Sequence, residues 1–87
     1  MKLKNYYVYV LCCEDGSFYT GYTSCLDKRL QSHRVGRGAR YTHQHGVVRL
    51  VHSETFSTRA EAMRRERQVK RLTHSEKEKL QASQGNE

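Results

Sequence analysis

The chain has 87 residues, 36% hydrophobic and 29% charged, which suits one small folded domain with a thin core and does not suit a disordered chain. No apolar run approaches the roughly 20 residues of a membrane-spanning helix, and the charged start, with no small-residue cleavage site after the apolar run that follows it, does not resemble a signal peptide. Sixteen Lys and Arg against nine Asp and Glu give a net charge of +7; the expected address is the cytoplasm, without a membrane partner, and the expected partner is a polyanion, nucleic acid first.

Residues 6–13 are aromatic and β-branched and predict a strand. Glu14-Asp15-Gly16-Ser17 is a turn signal, and residues 18–22 form the returning strand of a hairpin. Thr23 or Ser24 is placed to cap a helix over residues 25–34, with Leu26 and Leu30 as its apolar ridge. Residues 35–46 are Gly-rich and basic and read as an irregular connection of the kind that carries function. A third strand is expected over residues 47–51. Thr58-x-x-Glu61 and Thr73-x-x-Glu76 are capping boxes, which predict helices to about residues 72 and 80, with a polar, frayed end after them. The order β-β-α-β-α-α describes an α/β (α+β) domain over residues 1–82, a small, mainly antiparallel three-stranded sheet flanked by helices, with residues 83–87 as a tail. Cys12 and Cys13 point to opposite faces of one strand, and no C-x-x-C spacing involves Cys25, so all three read as plain thiols.

Three features do not follow from folding alone. At 100° per residue, Glu66 falls within the apolar stripe of Ala62, Met63 and Val69, opposite Arg64, Arg67, Gln68 and Arg71. A carboxylate aimed inward needs a cation or a metal, and an ion pair with one of the ten arginines serves as well as catalysis. Arg29 and His33 are one turn apart beside the Leu26–Leu30 ridge, on a face that is equally readable as a solvated flank. Tyr7, Tyr9 and Tyr19 share strand parity, and each needs a partner for its hydroxyl if buried.

Taken together, these residues resemble the GIY-YIG nucleases. Tyr7-Val8-Tyr9 and Tyr19-Thr20-Gly21 stand where the two naming motifs stand, Leu26-x-x-Arg29-Leu30-x-x-His33 is similar to the family's helix, and residues 61–70 look like the segment that bears its metal-binding glutamate. Gly36-Arg-Gly-Ala-Arg-Tyr-Thr42 resembles the G-x-G-A-x-x-T loop of resolvase-type and small bacterial members. The match spans about residues 6–80. Two positions depart from it: Tyr7 replaces the first motif glycine, and Tyr22 stands where excision-repair members carry lysine.

The resemblance implies metal-dependent hydrolysis of phosphodiester bonds in DNA. Glu66 becomes the ligand of Mg²⁺ or Mn²⁺, hard ions that use few protein carboxylates, and Arg29 the fork on a non-bridging oxygen. Tyr9 is the expected base on water, which requires a nearby cation to lower a phenol pKa of about 10. Tyr19 orients water or holds phosphate, and His33 is a competing base or proton relay. Arg34, Arg37 and Arg40 are placed to meet phosphates, Gly36 and Gly38 to let backbone approach, and Tyr41 to stack on an unpaired base. Such contacts select structure or strand rather than base sequence. The alternatives are a non-catalytic nucleic-acid-binding module and a subunit that works with a targeting protein partner. His43, His45, His52 and His74 form no metal set with the cysteines and read as surface or loop residues.

Overall fold

A computed structural model describes residues 5–37 and 40–85 of the chain. Strand β1 (Tyr6–Cys13) turns back into β2 (Phe18–Thr23), followed by α1 (Leu26–Arg34), α2 (Arg40–His45), β3 (Val47–Phe56), α3 (Arg59–Lys70) and α4 (His74–Gly85). The sheet order is β2-β1-β3 with both pairings antiparallel, so the longest apolar strand lies in the centre.

The hairpin turn forms as its residues dictate. Gly16 takes φ +84, a conformation costly for a residue with a side chain, and Asp15 accepts from the backbone and hydroxyl of Ser17 at 3.0 and 2.6 Å. Alternation along β1 then sends Val8 and Val10 to one face and Tyr9 to the other. On the first face Val8, Val10, Val51, Ala62 and Val69 make the apolar core, with Leu72 and Leu80 packed against it; α3 and α4 cover this side. On the second face α1 and α2 bring His33 and Thr42 over Tyr9.

Both caps form, and the reciprocal bond of a full capping box is made at Thr73, while Glu61 accepts from the Thr58 hydroxyl instead at 3.1 Å. Thr58 Oγ1 accepts from Glu61 N at 3.2 Å, and Thr73 Oγ1 from Glu76 N at 3.2 Å, while Glu76 accepts from Thr73 N at 2.8 Å.

Four local expectations change. The N-cap of α1 is Cys25, with no side-chain cap bond; Thr23 Oγ1 instead accepts from Cys25 N at 3.1 Å, two residues too early to cap. The segment read as irregular contains α2, so the order is β-β-α-α-β-α-α. Six residues cannot hold a helix by propensity; this one is tied down by Thr42 to His33 and by His45 to Asp15, and ends at Gly46 with φ +70. Strand β3 runs on to Phe56 through the polar stretch His52–Thr55, because Glu54 is held by Arg65 of α3 through two bonds of 2.9 and 3.1 Å. Helix α4 continues to Gly85. Cys12 is half-buried, Cys13 buried and Cys25 exposed, all as free thiols. Among the described residues no helix is long and apolar enough to cross a membrane.

Candidate active site

Register decides what meets at the second face. Tyr9 pairs with Gly21 across the hairpin, and its ring lies over that glycine: a Cβ built on Gly21 would sit 2.5 Å from Tyr9 Oη. The glycine of the second motif is therefore the floor on which the tyrosine of the first motif lies. Helix α1 presents Arg29 and His33 on one face, one turn apart, and both reach the phenol. Arg29 Nε donates to Tyr9 Oη at 3.3 Å, and Tyr9 Oη lies 2.8 Å from His33 Nε2. His33 Nδ1 lies 2.8 Å from Thr42 Oγ1 on α2.

This chain of polar groups is dry. Tyr9 is 0% exposed, His33 2% and Thr42 1%, so each proton needs a partner. Burial pushes the His33 imidazole below its ordinary value of 6.5, helped by the charge of Arg29; the ring is neutral at pH 7 and offers one donor and one acceptor. With Arg29 donating to the phenol oxygen, the assignment that leaves no buried proton stranded has Tyr9 O–H donating to Nε2 and Nδ1–H donating to Thr42 Oγ1. Burial raises Tyr9 above its ordinary 10.0 and outweighs the lowering by Arg29. The cation expected to depress this phenol is thus present, in contact, and insufficient.

Tyr19 stands beside the chain, half-buried, with its ring centroid 5.2 Å from that of His33 and 6.4 Å from that of Tyr9. Tyr41, 37% exposed, stacks at 6.0 Å on Tyr19 and at 4.1 Å on His45. Glu66 sits on α3 between buried Ala62 and Val69, its side chain 16% exposed and 3.5 Å from Lys70 Nζ. Its cationic neighbour is that lysine, one turn on, rather than an arginine. The Tyr19 charge opposes ionisation of Tyr9, as to a smaller degree does that of Glu66.

Tyr9, Tyr19, Arg29 and His33 are thus brought together, and Glu66 is linked to them through its charge on Tyr9 rather than by a contact. Arg34, the last residue of α1, and Arg37 and Arg40 beyond it are exposed, and Gly36, Arg37, Arg40 and His43 line a cavity of 330 Å³ there. Gly38 lies outside the described residues. Of the other histidines, His45 pairs with Asp15, whose carboxyl is held at about 2 chiefly by Ser17; His52 pairs with Glu54 at 2.7 Å; and His74 Nε2 donates to Gly16 O at 2.9 Å. Among the described residues no three His, Cys, Asp or Glu side chains gather as a metal set. Thr42 and Gly21 are members of the site that residue chemistry did not single out. Their only signal was membership of the two glycine-containing motifs.

The family model of the GIY-YIG catalytic domain matches residues 5–80. The chain belongs to the GIY-YIG family. Within it, this GIY-YIG protein is similar to UPF0213 proteins, small proteins of bacteria and archaea. The solution NMR structure of the UPF0213 protein BH0048 from Bacillus halodurans is 48% identical, with a TM-score of 0.59, covering 93% of this chain and 86% of that one. That of the protein EF2693 from E. faecalis is 42% identical, with a TM-score of 0.63, covering 97% and 90%. The UPF0213 protein NP_0776A of Natronomonas pharaonis is 44% identical over 80 residues, 92% of this chain and 94% of its own.

Proposed function

We propose that this GIY-YIG protein is an endonuclease that hydrolyses phosphodiester bonds in DNA, selecting strand or structure rather than base sequence. The observation that carries the reading is the buried chain Arg29–Tyr9–His33–Thr42, with the Glu66 carboxylate in the same electrostatic neighbourhood. A core polar network of this kind is costly where apolar packing would serve, and it ends in the residues that phosphoryl chemistry needs.

Water attacks phosphorus and loses a proton. Tyr9 takes that proton on its oxygen as it passes its own to His33 Nε2, so the buried phenol never has to ionise fully; the neutral imidazole is the acceptor, and Thr42 holds it in the tautomer that accepts. Arg29 offers its guanidinium to a non-bridging oxygen, in a half-buried setting where the charge is worth more than in water. Tyr19, over the imidazole, orients the water or the phosphate.

The donor set fits a hard divalent ion: one half-buried carboxylate, Glu66, with a single long lysine contact to displace. Mg²⁺ or Mn²⁺, with Glu66 as its protein ligand and water for the rest, would neutralise charge and assist the leaving oxygen. Arg34, Arg37, Arg40 and Tyr41 line the approach and take phosphates and an unpaired base.

The complete burial of Tyr9 favours a second reading, a nucleic-acid-binding module with little turnover until a substrate or a targeting partner opens the site. Cleavage of plasmid and of single-stranded oligonucleotide with Mg²⁺ or Mn²⁺, by wild type, Glu66→Gln and Arg29→Ala, decides between them. Metal-dependent cutting by wild type alone supports the nuclease. Equal cutting by all three overturns the assignment, and salt-sensitive binding without cutting supports the module.

A further inference from the structure

A second cavity of 330 Å³ opens at the other end of α1, between the start of that helix and the first turn of α3. Tyr6, Tyr22, Thr23, Ser24, Arg29 and Arg59 line it. Its chemistry is one-sided: among the described residues it is lined by two guanidinium groups, two phenols and two aliphatic hydroxyls, with no carboxylate. Arg59 is exposed, and among the described residues no ion pair engages it. The acidic side chain nearest in sequence, Glu61, is turned to Ser57 and Thr58 at the helix cap. Arg29 belongs to this cavity and to the buried chain at once, since its Nε is bound to Tyr9.

We infer that this cavity is a phosphate subsite, in which Arg59 holds the backbone phosphate next to the one that Arg29 engages. Planar forks suit phosphate oxygens, and 330 Å³ is at the lower end of the range for a small-molecule cleft, enough for one phosphate with part of its sugar. The phenols of Tyr6 and Tyr22 provide the wall for that sugar. The cavity of Arg37, Arg40 and His43 lies beyond the opposite end of α1, and the nine residues of that helix separate the two by about 13 Å of helix length. Two cationic cavities flanking Arg29 are suited to a continuous strand laid along α1, which is cut internally, rather than to a strand end. The identity of the phosphate as a DNA backbone group rests on the nuclease reading; the anion site does not.

The test is an amide NMR titration of the full chain with sodium phosphate and, separately, with an octathymidylate, for wild type, Arg59→Gln and Arg59→Lys. Phosphate is expected to move the signals of Thr23, Ser24 and Arg59. Arg59→Gln weakens that response at least fivefold, Arg59→Lys restores part of it, and the responses of Gly36 and His43 stay. Octathymidylate affinity falls about five- to tenfold, with a log–log salt slope smaller by about 0.7, the share of one lost phosphate contact on a single strand. Unmoved signals at Thr23, Ser24 and Arg59, or an Arg59→Gln chain that binds both probes as wild type does, overturns the subsite. A moving cavity in a chain that never cuts DNA leaves the subsite standing and removes the nuclease; cutting without that movement does the reverse.

Discussion

Val8, Val10, Ala62 and Val69 meet on one face of the sheet with no exposed area, and Tyr9, between the two valines on the same strand, is equally buried on the other. The first face is closed by apolar contact, the second by hydrogen bonds that run from Arg29 through Tyr9 and His33 to Thr42. Apolar packing has no direction, so the first face can exchange one methyl for another at modest cost. The second has a fixed order of donors and acceptors, and losing one member strands the others. The proposed chemistry lies where order already has to be maintained.

The largest expected difference between the faces is in activity. Arg29→Ala or Glu66→Gln lowers cleavage at least 10²-fold, the scale of one lost charge-stabilising donor; the melting temperature is nearly unchanged in Glu66→Gln and falls in Arg29→Ala, which takes a donor from Tyr9. Val69→Ala on the apolar face costs about 2 kcal/mol by denaturant titration and leaves cleavage per folded molecule intact. A Val69→Ala chain with lost activity and full stability would contradict the division.

Gly21→Ala comes next. Its methyl collides with the Tyr9 ring, so it destabilises by about 1–3 kcal/mol and lowers activity by moving the phenol off His33; a crystal structure of the variant reads the displacement. Thr42→Val keeps shape and removes the partner of Nδ1, at about 1–3 kcal/mol. Because it frees the other tautomer, it also changes the pH–rate profile, which a purely structural threonine would not do.

The smallest expected effects are in pH and stability, and they again differ by face. His33 has a folded pKa below its unfolded 6.5, so its contribution is whole above 6.5 and is lost as pH falls from there towards the folded value. Glu54, behind the other face, would be raised by burial, but Arg65 and His52 outweigh this and hold it below 4.5. Its contribution is whole above 4.5 and lost as pH falls through the lowered value. Urea unfolding from pH 8 to 3 therefore shows two steps. His33→Phe removes the upper, and Glu54→Gln reduces the lower, to which Asp15 also contributes below 3.8; loss of the upper step in Glu54→Gln would mean that the faces are coupled.

Much of this was legible from residues alone. Alternation along residues 6–13, the Asp15-Gly16 turn and the caps at Thr58 and Thr73 are local rules, satisfied within a few residues, and they survive folding. Glu66 stood out because helix geometry placed a carboxylate in an apolar stripe. Less legible were β3 beyond Val51 and helix α2. The first depends on Arg65 meeting Glu54, eleven residues away, and the second on His33 and Asp15 reaching Thr42 and His45. Contacts across such separations have no periodicity to betray them.

The sequence by itself determined the first hairpin, the faces of α1 and α3 and the candidate groups of the site, because these follow from repeats of two and of 3.6 residues and from motif order. Only the tertiary structure decided the protonation logic. Burial set the phenol above its ordinary range and the imidazole below, against the expectation that a nearby cation would govern Tyr9. Desolvation depends on what the rest of the chain lays over a group, and no local pattern carries that.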